Sequence, residues 1–340
     1  MLSKAKLQNF GPLKQLEWSN LGKINLVIGD NGCGKTFLLK VLYSAMRTLE
    51  EYRRGDDELK SASEILAEKL YWTFQADRIG ELVTKGADRP LSCEILVDDR
   101  QFSYRFGKDT TKQITQLENH VEPRKDSNSI FLPAKEVLSL QPVILKSREQ
   151  DKSFGFDDTY LDLARALRDT PKGGRNYAEF AQSRKRLDDI IGGKVEYDEV
   201  SGRWQFKRGN QKFPMGVTSE GVKKIAILDT LLGNRYLDPN SIVFIDEPES
   251  ALHPKAVYKL LDIVALLAER GIQFFLASHS YFVVGKLFLL AQKSGLSIPI
   301  ISYREDGEWV SENLKEGMPE NPIIRESIRL YKEEVELSLG

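Results

Sequence analysis

The sequence of 340 residues is poor in the features that mark several protein classes. It has two cysteines, Cys33 and Cys93, too few for a disulfide framework and suited to a reducing cytoplasmic compartment. Long apolar runs are missing, since the longest stretches are broken by Glu269-Arg270 or Lys286, so none reaches a membrane span. Charge of one sign is missing too: 49 Lys and Arg face 50 Asp and Glu, leaving −1. No net basic footprint announces nucleic acid, although a local patch stays open. Residues 1–6 lead into a strand pattern and not into an apolar signal segment. No internal repeat occurs. These absences point to a soluble intracellular protein without a membrane partner, long enough for one large domain or two lobes.

What is present centres on Gly29-Asp30-Asn31-Gly32-Cys33-Gly34-Lys35-Thr36. The apolar run 24–28 precedes it as a buried strand, and residues 37–42 follow as a helix. Glycines let successive backbone N–H groups curl around a phosphate, and the helix N-terminus aims the positive end of its dipole at the same point. Lys35 would reach the β- and γ-phosphates, and the Thr36 hydroxyl would bind Mg2+. The setting of strand, loop and helix makes nucleotide binding the reading.

A second constellation follows the apolar strand 241–245: Asp246-Glu247-Pro248-Glu249-Ser250-Ala251-Leu252-His253-Pro254. An acid at the end of a buried strand beside a phosphate loop can hold Mg2+, and the carboxylate after it can activate water as general base. Of only three histidines, His279 stands in Ala277-Ser278-His279-Ser280, at the end of the next strand. There its imidazole would sit near the γ-phosphate. Upstream, Thr218-Ser219-Glu220-Gly221-Val222 opens a helix and offers a second phosphate-binding N-terminus.

The remaining chain reads coarsely. Strands are expected at 4–10 and 16–18, and Ser61 with Glu64 has the spacing of a capping box for a helix to about residue 75. Residues 50–60 are expected as loop, 91–97 and 101–106 as a hairpin, and 107–128 show no element. Helices are expected at 158–168, 176–191 and 222–232, and a hairpin at 194–207. Asn321-Pro322 starts a terminal helix with Ile324, Ile328, Tyr331 and Val335 along one face.

Taken together, the phosphate loop, Ser219-Glu220-Gly221, Asp246 to Pro254 and Ser278-His279 resemble the ABC-type ATPase heads of the SMC-like, RecF-like and OLD-like group. Within it, the chain looks most like stand-alone AAA ATPases of bacterial antiphage defence operons. The opening Leu7-Gln8-Asn9-Phe10-Gly11-Pro12-Leu13 is similar to that group's first strand. The resemblance implies an α/β fold with a P-loop parallel sheet core, an antiparallel β lobe and a helical insert. It also implies four segments. Residues 1–135 would form an ATPase lobe with the Walker A loop, and 136–215 a helical insert plus hairpin. Residues 216–312 would hold signature, Walker B and switch histidine, and 313–340 a C-terminal helix. ATP and Mg2+ are the implied cofactors. Residues 29–36, Ser219, Gly221 and Gln141 would bind nucleotide, with Gln141 taken over Gln75 as the Q-loop residue. Thr36 and Asp246 would hold the metal, Glu247, His279 and Lys35 would serve catalysis, and Ser250-Ala251-Leu252 would form the D-loop.

Such heads work as head-to-tail pairs, so the resemblance implies a homodimer or higher oligomer with composite ATP sites. The signature, Thr-Ser-Glu-Gly-Val, departs from the Leu-Ser-Gly-Gly-Gln of transporters and points away from transport. In the 182 residues between Thr36 and Ser219, Pro171, Gly173 and Gly192-Gly193 break the helices, so no long coiled coil is expected. No acidic cluster of nuclease type stands in the 61 residues after His279, so no nuclease domain is expected there. The expected role is therefore a switch controlling a separate effector, a nuclease or toxin. The alternative is a RecF-like, DNA-binding ATPase of repair or recombination. Its basic patch would be Arg165, Arg168, Lys172, Arg175 and Arg184-Lys185-Arg186, interleaved with Asp158, Asp162, Asp188 and Asp189. A third reading is a scaffold that binds ATP and barely turns it over, against which Glu247 and His279 speak.

Overall fold

A computed structural model describes residues 1–55, 59–122, 125–168, 180–198 and 200–339. The chain opens on a hairpin, β1 (Leu2–Phe10) and β2 (Leu13–Trp18), and enters β3 (Ile24–Ile28), α1 (Lys35–Glu51) and α2 (Ala62–Phe74). Three antiparallel strands follow, β4 (Leu91–Val97), β5 (Arg100–Phe106) and β6 (Gln116–Asn119), then the short β7 (Ile130–Leu132). Helices α3 (Gln141–Leu145), α4 (Asp158–Ala166) and α5 (Ala181–Ile191) lead to β8 (Lys194–Asp198), β9 (Arg203–Arg208) and β10 (Gln211–Pro214). The last third runs α6 (Glu220–Gly233), β11 (Ile242–Asp246), α7 (Pro254–Glu269), β12 (Gln273–Ser278) and α8 (Tyr281–Ser294). It ends in β13 (Pro299–Tyr303), β14 (Trp309–Asn313) and α9 (Pro322–Leu339).

The central sheet has the order β14-β13-β3-β12-β11-β7 and is parallel except for β14. Every residue of β3, β11 and β12 is buried, which is why these strands read as unbroken apolar runs. Successive side chains point to opposite faces. Ile24, Leu26 and Ile28 join Val243, Ile245, Phe274 and Leu276 in one core, with α6, α7 and α8. Val27, Phe244, Phe275 and Ala277 face the other core, shared by α1, α2 and the antiparallel sheet β2-β1-β4-β5-β6. Stacked rings of Phe131, Phe244 and Phe275 carry that second core across three strands. Gln273 joins the two sheets: its amide accepts from Leu2 N at 2.9 Å and donates to Leu2 O at 2.7 Å.

Local expectations hold where the signal is short-range. Ser61 and Glu64 form the reciprocal capping box, and Asp98 and Asp99 take the left-handed turn between β4 and β5. Four expectations are corrected. Glu50 is not in a loop: α1 continues to Glu51, and Glu50 is fully buried, bonded to Arg47 at 2.9 Å and to Ser129 N at 2.9 Å. Residues 107–128 contribute β6, which pairs on β5, and the hairpin 194–207 is extended by β10. Along residues 322–338 of the terminal helix only Ile324 is buried, whereas Ile328 and Tyr331 are exposed. Of the helix expected at 176–191, the first residues lie outside the described residues, as do Lys172 and Arg175.

Between α1, α2 and α4 lies a buried ionic cluster. Asp162 takes Lys69 Nζ at 3.1 Å and the Tyr43 hydroxyl at 2.8 Å, and Arg148 bonds Asp158 at 2.7 Å. Burial alone would push the Asp162 carboxyl up, but Lys69 and Arg47 outweigh it and bring it down to about 2. Asp162→Asn takes from Lys69 one of three carboxylates, leaving Glu51 at 3.0 Å and Asp158 at 3.5 Å, and the expected loss is about 1–3 kcal/mol in urea unfolding at neutral pH. The Asp162 pKa lies below its unfolded value, so its contribution is present above about pH 4. It fades as pH falls through about 2. Asp158 and Glu50, raised by burial, run the other way, so the measurement is the parent-minus-variant difference, which should shrink on acidification.

Candidate nucleotide site

The phosphate loop turns between the end of β3 and the start of α1. Gly29 and Gly34 have φ of 154° and 107°. A Cβ at Gly34 would meet Pro12 Cγ at 2.9 Å, and one at Gly29 would meet Cys33 Sγ and Tyr303 Cβ at 2.8 Å. Both positions therefore demand glycine for conformation and for space. The first turn of α1 has no acidic residue, so its dipole end stays positive. Lys35 Nζ donates to Gly29 O and Asp30 O, each at 2.8 Å, which lays the ammonium over the loop. Burial raises the Cys33 thiol pKa, so Cys33 serves the loop by packing and by its backbone, not as a thiolate.

Parallel register brings the other residues to the same edge. Ile28 pairs with Ser278, and Ala277 pairs with Asp246, so the loop, His279 and the acids share the carboxyl ends of adjacent strands. Thr36 Oγ1 lies 2.9 Å from both carboxylate oxygens of Asp246. Burial pushes the Asp246 carboxyl up, the Thr36 hydrogen bond draws it down, and the Glu247 charge pushes it up again. Among the described residues no group of three or more His, Cys, Asp or Glu forms a self-sufficient metal site. A hydroxyl and one carboxylate are hard oxygen donors of the kind that Mg2+ combines with phosphate oxygens and water. The residues fit Mg2+ with a nucleotide.

Glu247 sits in the left-handed region, φ 49°, with its N–H on Ala277 O at 2.9 Å. His279 Nδ1 is 3.5 Å from Glu247 Oε1 and 3.7 Å from Glu249 Oε1. Glu249 also accepts from Ser278 Oγ at 2.8 Å and from His279 N at 3.2 Å. It thus fixes the histidine segment, a role that sequence reasoning missed although Glu249 stands within the motif. A second missed residue is Lys224, whose Nζ donates to Asp246 O at 3.2 Å and to Glu247 O. Burial pulls the Lys224 pKa down to about 8, against the upward pull of Glu249, Asp246 and Glu247. Its one signal was helical phase, three residues after Gly221 and four before the buried Leu228. A third missed element is the start of α4: Asp157 bonds Lys40 of α1 at 2.6 Å. Burial pushes the nearby Tyr160 up to about 12, with Asp157 and Asp246 adding to it.

Ser219 caps α6, accepting from Val222 N at 3.4 Å, and is exposed. Gly221 lies against Ala251 and Leu252, where a Cβ would meet Leu252 Cδ2 at 2.6 Å and Ala251 O at 3.0 Å. No hydrogen bond among the described residues joins Ser219 or Gly221 to the phosphate loop. The structure therefore gathers Lys35, Thr36, Asp246, Glu247 and His279, and sets the signature turn on the other flank of the Asp246–Leu252 segment. Gln141 is corrected: its Nε2 donates to Ala164 O at 2.8 Å and its Oε1 accepts from Trp204 Nε1 at 2.7 Å. With both ends spent inside the core, it does not reach the phosphate loop. Gln75 ends α2 in a left-handed conformation, with its Nε2 buried and unpaired among the described residues.

Two substitutions separate the loop from the Thr36–Asp246 pair. Lys35→Ala should abolish ATP binding, with or without Mg2+, in a fluorescent-nucleotide titration. Asp246→Asn should retain Mg2+-free binding while the strengthening by Mg2+ falls by about tenfold or more, the loss of one charged ligand.

No curated protein matches the chain. Among solved structures it is similar to an Smc head bound to the C-winged helix domain of ScpA. The TM-score is 0.55 at 15% identity, covering 93% of this chain and 98% of that one. It is also similar to an Smc head domain with an extended coiled coil, bound to the C-terminal domain of ScpA, from Pyrococcus furiosus. There the TM-score is 0.53 at 15% identity, covering 96% and 99%. The fold is that of an ABC-type ATPase head of the SMC-like group, and the longest helix among the described residues is the 18-residue α9, with no long coiled coil. Residues 24–285 match the family described as "AAA domain, putative AbiEii toxin, Type IV TA system", and the chain belongs to it.

Proposed function

We propose that the protein hydrolyses ATP as a dimeric switch controlling a separate effector, a nuclease or toxin, in cytoplasmic antiphage defence. The observation that carries the catalytic part is the Thr36 hydroxyl spanning both Asp246 oxygens, with Glu247 and His279 3.5 Å apart at the next strand end. In this reading the loop N–H groups and Lys35 hold the phosphates, and Thr36 and Asp246 hold Mg2+. The metal supplies neutralisation of phosphate charge. Glu247 takes the proton of the attacking water, and His279 donates toward the γ-phosphate. Ser219 and Gly221 serve the nucleotide of a second copy, giving a homodimer or higher oligomer with composite sites.

The control of an effector is supported by the family's description, which names a toxin system, and by heads of this fold captured with ScpA. DNA as a partner is less well supported. Arg165 and Arg168 pair with Glu149, Arg184 pairs with Asp229 at 2.7 Å, and Lys172 and Arg175 lie outside the described residues. Glu149 answers two guanidiniums and Asp229 one, which lowers, without cancelling, the charge this patch would offer to phosphates.

Glu247→Gln tests the reading, because it keeps size and loses the basic oxygen. Hydrolysis should fall by about 10²–10⁴-fold while ATP and Mg2+ still bind. Light scattering with ATP should show the variant accumulating closed dimer beyond the parent. If both are dimers without ATP, protease protection around Ser219 and Ser250 replaces mass as the readout. No ATP-dependent gain of the closed state in the variant over the parent would overturn the switch.

A further inference from the structure

We infer that Lys224 is a positioning residue that joins the signature turn of one subunit to its own catalytic acid, so that closing one composite site sets the geometry of the other. This rests on the composite-site reading above. The chain of contacts is short. Gly221 and Lys224 lie one turn apart on α6, and both are seated on the segment that carries Asp246 and Glu247. Gly221 packs without a side chain on Leu252 and Ala251 O, and Lys224 Nζ donates to the carbonyls of Asp246 and Glu247.

The acid needs such a hold. Glu247 and Ala251 both occupy left-handed backbone, at φ 49° and 60°, a region disfavoured for residues with a Cβ. The Glu247 N–H is tied to Ala277 O, and Lys224 ties its carbonyl, so both sides of the turned residue are held. Neighbouring Lys223 bonds Glu220 at 2.7 Å and Glu136 at 3.3 Å, which ties the opening turn of α6 to the segment after β7. A shift of the α6 start, as Ser219 closes on a partner's γ-phosphate, is then transmitted to Glu247 through two hydrogen bonds. Coupling needs a physical element that both sites bias, and the α6 start with residues 246–252 is that element.

The experiment uses the full chain with ATP and Mg2+. Lys224→Met keeps length and removes the donors: kcat should fall about 10²-fold, with KM within about twofold. Lys224→Arg, which restores donors, should recover most of kcat. A role in folding alone would instead lower the melting temperature and the ATP affinity together, without rescue of kcat by arginine. Should Lys224→Met fail to fold, Lys224→Gln, polar but too short for both carbonyls, replaces it with the same expectation. Mixed dimers isolated with two affinity tags read the coupling directly. With Lys35→Ala in one subunit, the surviving site should run well below the per-site rate of the parent. When its own subunit also carries Lys224→Met, its rate should match the Lys224→Met homodimer. Equal per-site rates in parent and mixed dimers, or a Lys224→Met kcat like the parent's, would overturn the inference. Failure of the parent to form an ATP-dependent or constitutive dimer would instead overturn the composite-site reading.

Discussion

Everything in this molecule that concerns nucleotide depends on the parallel register of β3, β12 and β11. Because Ile28 stands beside Ser278 and Ala277 beside Asp246, three loops from distant parts of the chain start at one edge. Parallel pairing forces each strand to be followed by a crossover, and α7 and α8 fill that role. Burial on both faces then removes the freedom to slip. A shift of one residue would send Val27 and Phe275 into the wrong core and misplace Thr36 from Asp246.

Helix α1 links this edge to the charged interior. Its first turn carries Lys35 and Thr36, its middle offers Lys40 to Asp157 and Tyr43 to Asp162, and its end brings Arg47 to the buried Glu50. Thirteen of its 17 residues are buried, so the helix cannot shift without disturbing two cores. The ionic cluster is costly to desolvate and strongly destabilised if broken, the combination that favours a single relative placement of α1, α2 and α4. Lys40, one turn past Thr36, bonds Asp157, so the start of helix α4 is held against the opening of α1 as well as against the cluster.

On the flank of the site, α6 has two duties. Its opening turn presents an exposed Ser219, while the residues one turn later are buried against the acid-bearing segment. The exposed side suits a ligand from outside the subunit, and the buried side suits rigidity within it. A glycine and a lysine, of opposite size, meet the two needs of close approach and long reach.

The local chemistry was determined by the sequence alone. Contiguous residues dictated the phosphate loop, the two adjacent acids, the capping box at Ser61 and the turn at Asp98-Asp99, because their causes act within a few residues. The apolar runs likewise announced a sheet buried on both faces. What tertiary structure decided were the partners of polar residues across long separations. Gln141 was spent on Trp204, 63 residues away, and Glu50 found Ser129, 79 residues away. Lys224 carried no sequence signal beyond helical phase, and the sheet end put two carbonyls in its reach. The apolar face of α9 shows the converse, for its spacing dictates a stripe, yet Ile328 and Tyr331 stand exposed among the described residues. Periodicity sets which side chains share a face, and only the packing of distant elements decides what that face meets.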